Sequence, residues 1–374
     1  MLTATRIAAD TATVTVVSQT EAVADWSRRY FGPWWNATTT PVTTAAIAED
    51  GGALVLADTS SNRVDDITFL VRDYGYEETD YAGARTLVSR ADSMIYAMQP
   101  EERLAFQANG RRLVVVGDDP TSLAVAAARL ARELVRAQLL ADGWTVLHAS
   151  AAVKDGRAVL TLGTKGAGKT TTALLLARQG YGLLANDRVF VRPEPDGTIK
   201  VLPWPSAAAI GLGLLDATGL YDTVHEKVAA GGQLHPTQHP SVTEALHEGR
   251  REPLWRADGK ELKPQFFPDQ LNTWLGLTLA TEATAAGLLF PTVNPTASPA
   301  LLDDDRTVTE EDIFTTGTED RYPDVFGLTP TTTPSESTLS DQLGSLPRRS
   351  LMLSHDTDAN AALLVKTADE LTAA

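Results

Sequence analysis

The chain has 374 residues, 43% of them hydrophobic and 21% charged, with 27 glycines and 20 prolines. These are globular proportions, enough for two domains or one elaborated α/β domain, and they exclude a collagenous, coiled-coil or wholly disordered chain. Acidic residues outnumber basic ones 48 to 32, for a net charge of −16, and there is no cysteine. The charge disfavours nucleic acid as the main ligand, and the missing thiols rule out disulfides, thiolate zinc, iron–sulfur clusters and a thiol nucleophile. The N-terminus, MLTATRIAADTATVTVVSQ, lacks the continuous apolar core of a signal peptide. No apolar run approaches the roughly 18 residues of a membrane span. A cytoplasmic protein without a membrane partner is expected.

In chain order, the period-two alternation of TATVTVV predicts a strand. Trp26, Tyr30, Phe31, Trp34 and Trp35 follow as an aromatic cluster, read as packing rather than as a ligand-stacking surface. Ala108-Asn109-Gly110-Arg111 predicts a hairpin turn, because Asn-Gly adopts the positive φ that such a turn needs, and RLVVVG returns as a strand. Asp119 and Pro120 open a helix that keeps Leu123, Ala127, Leu130 and Leu134 on one face. A mixed α/β N-terminal domain is therefore expected over 1–140, with a second domain over 141–374.

From Trp144 the pattern changes. TVLHASAAV and RAVLTLG, separated by Lys154-Asp155-Gly156, read as strand, turn and strand. A Gly-rich loop, a helix (TTTALLLARQG) ended by Gly180 and the strand GLLAND come next. Strand, helix and strand with short connections favour a parallel βαβ unit. Residues 216–265 are polar and give no clear elements. LNTWLGLTLATEATAAGLLFP reads as a helix followed by a buried strand, and the Thr/Ser/Pro-rich run Thr329–Ser345 as a flexible linker or loop. LMLSH and AALLVKTADELTAA supply a last strand and a closing helix.

The chemistry begins at Gly163-Thr-Lys-Gly-Ala-Gly168-Lys169-Thr170, which satisfies G-x-x-x-x-G-K-[ST], the Walker A or P-loop pattern. Glycines at these places let successive N–H groups curl around phosphates, and the following helix points its positive end at them. The nucleotide-binding set is thus Gly163, Lys165, Gly166, Ala167, Gly168, Lys169, Thr170 and Thr171. Lys169 reaches the β/γ oxygens and the Thr170 hydroxyl ligates Mg²⁺. The loop does not choose between ATP and GTP.

Two further residues narrow the reading. His148 lies 21 positions before Lys169, in the strand preceding the P-loop strand, and Asp187 lies 18 positions after it, at the end of the next strand. If those strands flank the P-loop strand, both side chains project near the γ-phosphate. Alone, the first reads as a core histidine and the second as a turn residue. Together with the P-loop, through LHASAAVKDGRAVLTLGTKGAGKTTTALLLARQGYGLLAND, they resemble the kinase domain of the HPr kinase/phosphorylase family, related to phosphoenolpyruvate carboxykinases. The shorter HPr-kinase-like proteins of biosynthetic clusters are still more similar. The resemblance covers about 144–192, extends faintly to Leu215 and to PTVNPTASPALL, and leaves out 1–118.

That resemblance implies a P-loop kinase core of HPr-kinase/PEP-carboxykinase type and a Mg²⁺-dependent transfer of the ATP γ-phosphate to a hydroxyl of a peptide, protein or small metabolite. By it, Lys169 binds phosphate, Thr170 and Asp187 hold the metal, and His148 sits beside the transferred group. HPr kinases are hexamers, so a homo-oligomer is a further implication. Where the family has two adjacent aspartates, this chain has Asn186-Asp187. An amide takes no proton at neutral pH, so the base must be Asp187 or His148, imidazole being suited to that task, or the chain is a nucleotide-binding regulator. LPWPSAAAIGLG keeps the glycines of the family's second signature without its acid, which speaks against the reverse, phosphorylase reaction.

Weaker candidates remain. His235 and His239 in HPTQHP have a metal-pair spacing, but the prolines oppose a helix there. Lys260 and Lys263 are read as surface residues, Arg321 as a loop salt-bridge partner rather than a transition-state cation, and Asp303, Asp304 and Asp305 as a solvated turn.

Overall fold

The computed structural model describes residues 1–43, 52–313, 323–329 and 336–373. It divides into two compact units: Met1–Trp144 with Thr315–Pro334, and Thr145–Phe314 with Ser335–Ala374. Both are mixed α/β.

The first unit is built on one nine-stranded sheet. Its strands are β1 (Thr3–Ala9), β2 (Ala12–Ser18), β3 (Thr38–Pro41), β4 (Ala53–Thr59), β5 (Glu77–Tyr81), β6 (Ala84–Ala91), β7 (Met94–Gln99), β8 (Leu104–Asn109) and β9 (Arg112–Gly117), in the order β3-β1-β2-β4-β9-β8-β7-β6-β5. The pairs β2–β4 and β4–β9 are parallel, and β5 to β9 form an antiparallel meander. The hairpin read at Asn109-Gly110 is the β8–β9 turn, with Asn109 opposite Arg112. Helix α1 (Glu21–Trp35) carries the aromatic cluster, and all five rings are buried. They pack against one another, Phe31 and Trp35 stacking at 5.6 Å, so the cluster is core. Helix α2 (Ser61–Asp73) lays Val64, Ile67 and Val71 on Leu87, Met98, Ala105 and Val116. Helix α3 (Pro120–Ala141) buries Leu123, Ala127, Leu130 and Leu134 and packs against α1.

The second unit holds β10 (Thr145–Leu147), β11 (Ala149–Lys154), β12 (Arg157–Leu162), helix α4 (Lys169–Arg178), β13 (Gly182–Ala185), β14 (Val189–Pro193) and β15 (Ile199–Pro203). The two-residue strands β16 (Ala208–Ala209), β17 (Leu254–Trp255), β18 (Glu261–Leu262) and β19 (Gln265–Phe266) lie outside the main sheet. The long β20 (Ala283–Val293), β21 (Ala300–Leu302) and β22 (Arg348–Leu353) complete it. The order is β10-β14-β15-β20-β12-β11-β13, with β22 pairing β20 and β21 pairing β22.

Several expectations need correction. The run TVLHASAAV is two strands, broken at His148. β12 and β13 run in the same direction but are not neighbours, because β11 hairpins onto one edge of β12, β20 takes the other, and β13 pairs with the far edge of β11. Of the strands before and after β12, only β11 therefore flanks it. The helix expected ahead of the buried strand is only Pro268–Thr273. Residues 216–265 contain the helices Tyr221–Ala229 and Pro240–His247. Within Thr329–Ser345, residues 336–345 form a helix rather than a linker, because Leu339 and Leu343, one helical turn apart, bury against the sheet; 330–335 lie outside the described residues.

Candidate active site

The P-loop leaves β12 at Gly163 and ends where α4 begins. Gly163 and Gly168 have φ of 151° and 106°, which L side chains rarely adopt. Both are also sterically closed. A Cβ on Gly163 would lie 2.8 Å from the Ala167 Cβ, and one on Gly168 would lie 3.1 Å from Val293 and 3.2 Å from Leu353. The loop is thus wedged against the ends of β20 and β22. Gly168 is the N-cap of α4 and brings no side-chain hydrogen bond, so the first N–H groups of the helix keep their capacity for an anion.

Lys169 is buried, 8% exposed. Its Nζ donates to the carbonyls of Gly163 at 2.5 Å and Thr164 at 3.4 Å. The Ser150 hydroxyl of β11 donates to the Lys169 carbonyl at 2.8 Å and fixes the start of α4 on the sheet. Lys165 and Gly166 are exposed at the loop tip, Ala167 donates its N–H to the Thr164 carbonyl, and Thr171 is half-buried in the first turn of α4.

The segment after β13 meets this helix start. The Thr170 hydroxyl donates to the Asn186 carbonyl at 3.5 Å. His148 Nε2 and Asp187 Oδ1 are 3.1 Å apart. They meet although 39 residues separate them, because His148 immediately precedes β11 and Asp187 follows β13, and the antiparallel pairing of these strands sets Ala151 opposite Ala185. His148 is held by its backbone, its N–H donating to the Asp312 carbonyl at 2.8 Å, and Leu147 bridges Ile313 alongside. Asp187 Oδ2 also lies 3.5 Å from Arg188 Nε. Burial would raise the Asp187 pKa, but the His148 hydrogen bond and the charges of Arg188, His148 and Lys169 outweigh it, so the carboxyl is held below its ordinary value. Asp187 is thereby an acceptor through the whole neutral range. Asn186 is buried, and its Oδ1 accepts from the Ser206 hydroxyl at 3.3 Å.

The P-loop, His148 and Asp187 are thus gathered in one place. The weaker candidates are occupied elsewhere. His235 Nδ1 pairs with the Thr237 hydroxyl at 2.7 Å, while His239 is the N-cap of Pro240–His247 and its ring accepts from the Ser241 N–H. The two histidines therefore do not share a helix face. Among the described residues no group of three or more His, Cys, Asp or Glu gathers to hold a metal. Lys263 pairs with Glu261 at 3.0 Å and Lys260 is exposed. Asp304 accepts from the Arg306 N–H and the Ser350 hydroxyl, and Arg321 lies outside the described residues. Sequence reasoning missed Ser206, Asp312 and Arg188. Only Arg188 carried a signal, its adjacency to Asp187; the others reach the site through tertiary structure.

No family model and no curated protein matches the chain. Among solved structures it is similar to the HPr(Ser) kinase/phosphatase from Coxiella burnetii, at 15% identity over 42% of this chain and 65% of that one, less than two thirds of its length, with a TM-score of 0.20. A likeness that slight assigns neither fold nor activity. Among the described residues no helix is long and apolar enough to cross a membrane.

Proposed function

We propose that the chain is an ATP- and Mg²⁺-dependent phosphotransferase that moves the terminal phosphoryl group of the nucleotide onto a hydroxyl of a peptide, protein or small metabolite. The observation that carries this reading is the His148–Asp187 pair at 3.1 Å, tied to the start of α4 through Thr170 and Asn186. A phosphate loop beside a hydrogen-bonded acceptor pair has what phosphoryl transfer needs, which is positioning, charge neutralisation and a group to orient the nucleophile.

The residues fit a magnesium ion. Mg²⁺ takes hard oxygens and needs only one or two from the protein beside those of phosphate and water; Thr170 Oγ1 and Asp187 Oδ2 would supply them. When bound, the ion would neutralise charge on the phosphates. Lys169 would exchange its loop carbonyls for phosphate oxygens. His148, oriented by Asp187 Oδ1, would accept the proton of the incoming hydroxyl.

The test is incubation of wild type and Lys169→Ala with γ-labelled ATP, Mg²⁺ and an extract split into macromolecular and small-molecule fractions. Label in one fraction with wild type alone is expected, and it names the acceptor class. A second reading, a nucleotide-binding regulator, is favoured by Asn186, whose amide is held by Ser206 where the resembled family has an acid. It predicts tight ATP binding without transfer, and a gain of transfer in Asn186→Asp.

A further inference from the structure

Among the described residues Asp312 is the one buried residue that carries a carboxylate, 6% exposed. No described cation pairs with it. Its Oδ2 instead accepts from the Thr309 N–H at 2.9 Å and from the Thr309 hydroxyl at 3.2 Å. The Asp312 N–H donates to the Thr309 carbonyl at 3.0 Å, so these bonds close the turn around the 3₁₀ segment Glu310–Asp312. Other aspartates close turns in the same way but in water. Asp119 accepts from the Ser122 N–H, Asp196 from the Thr198 N–H and Asp258 from the Lys260 N–H, and all three are exposed. A carboxylate withdrawn from water with no cation beside it is costly, and an exposed one would close the turn as well. The burial therefore points to something else that this turn holds.

What it holds is His148. The strands leave that residue between them, for β10 ends at Leu147 and β11 begins at Ala149. The His148 N–H donates to the Asp312 carbonyl at 2.8 Å, and Leu147 and Ile313 bridge beside it. Ile313 and the partly buried Val308 set both ends of the turn into the cluster that contains Leu147, Leu339 and Leu343. The histidine is thus fixed at two points, its backbone by this turn and its ring by Asp187 at 3.1 Å.

We infer that Asp312 is a positioning residue: its carboxylate locks the turn whose carbonyl fixes the His148 backbone, and so keeps the imidazole within reach of Asp187. The consequence for turnover rests on the phosphotransferase reading given above; the hold on His148 does not. Asp312→Ala keeps the carbonyl but loses the lock. Asp312→Asn keeps an oxygen that can accept from both Thr309 donors.

The experiment is amide hydrogen exchange of the full chain labelled with ¹⁵N-histidine, without nucleotide, in wild type, Asp312→Ala and Asp312→Asn. His235, whose N–H donates to the Gln265 carbonyl at 2.9 Å, is the internal reference. In Asp312→Ala the His148 amide should exchange about tenfold faster while His235 keeps its rate, and Asp312→Asn should stay within about twofold of wild type. In the label-transfer assay kcat should follow, falling about tenfold in Asp312→Ala and recovering in Asp312→Asn. The KM for ATP should hold, because the phosphates are bound by the loop and not by this turn. A wild-type exchange rate at His148 in Asp312→Ala, or equal acceleration at His148 and His235, would overturn the assignment. So would faster exchange with unchanged kcat, or no recovery in Asp312→Asn, since the lock needs an oxygen and not a charge. If wild type transfers no label, the phosphotransferase reading fails, and the exchange rates still decide whether the turn holds His148. If Asp312→Ala does not fold, Thr309→Val decides. It removes one of the two donors at an exposed position, and His148 alone should exchange about threefold faster; an unchanged rate overturns the assignment.

Discussion

Buried cations occur in both units, and they are held in different ways. In the first unit Arg132 and Arg136 of α3 are buried; Arg136 donates to Glu133 at 3.0 Å, and Arg132 donates to the Tyr30 hydroxyl at 3.3 Å with Glu133 3.9 Å away. In the second, Lys169 donates to the backbone carbonyls of its own loop, and its charge also acts on the Asp187 carboxylate. A carboxylate holds a cation permanently, because separating them leaves a buried charge unpaired. A neutral carbonyl gives it up to a phosphate oxygen, since the charge-assisted bond is the stronger one. Burial of a charge therefore does not mark a site by itself; the partner it keeps does.

The strongest way to break this contrast is Lys169→Ala. Transfer of label from ATP should fall by about a thousandfold or more, while the thermal unfolding midpoint stays near that of wild type. Turnover close to wild type would remove the assignment of the loop. Arg136→Ala should do the converse. Breaking a buried pair costs about 3 kcal/mol in urea unfolding, and ATP affinity should hold. Lost ATP binding at unchanged stability would mean that α3 holds a functional cation after all.

The acceptor pair sharpens the comparison at a smaller scale. Asp187→Ala should lower turnover by about a hundredfold, and Asn186→Ala by far less; the reverse order would show that the adjacent acid has been misassigned. The pH dependence of stability gives a second reading of Asp187. Its carboxyl is held below the ordinary value, so it stabilises the fold above its unfolded pKa of about 3.9, and that contribution is lost as pH falls through the lower folded value. The difference in urea midpoint between wild type and Asp187→Asn should be flat from about pH 8 to 5 and close below about 4. Closure between 5 and 7 would mean that another group governs the pair.

How far this site could be read from sequence follows from how local each part is. The glycine-rich loop is local: Gly163, Gly168, Lys169 and Thr170 are set by backbone geometry and the first turn of α4, and the motif spacing contains both. The β11–β12 hairpin is local too, since Asp155 and Gly156 turn it with φ of 51° and 75°. The pairing of β13 with β11 is not, because an edge is chosen by competition, and β20 comes from more than a hundred residues downstream to occupy β12. The spacing of His148 and Asp187 therefore suggested proximity through a strand order that the sheet does not have. Leu339 and Leu343 were hidden by the Thr, Ser and Pro around them. There the average of the segment concealed the two side chains that meet the sheet.

The smallest effect expected returns to the two helix starts. Both α3 and α4 open with N–H groups that their own turns cannot pair. In α3 the Asp119 carboxylate accepts from the Ser122 N–H at 2.7 Å, and Pro120 needs no partner. In α4 the corresponding place is Gly168, which has no side chain to offer. Asp119→Ala should therefore cost about 1 kcal/mol of stability, measured by urea unfolding, and the same amount whether or not ATP is present. ATP should raise the stability of wild type and of Asp119→Ala equally, because its phosphates would occupy the other helix start. If the cost of Asp119→Ala disappeared on adding ATP, the nucleotide would be serving α3, and the contrast between a helix capped by its own chain and one left for a ligand would be assigned the wrong way round.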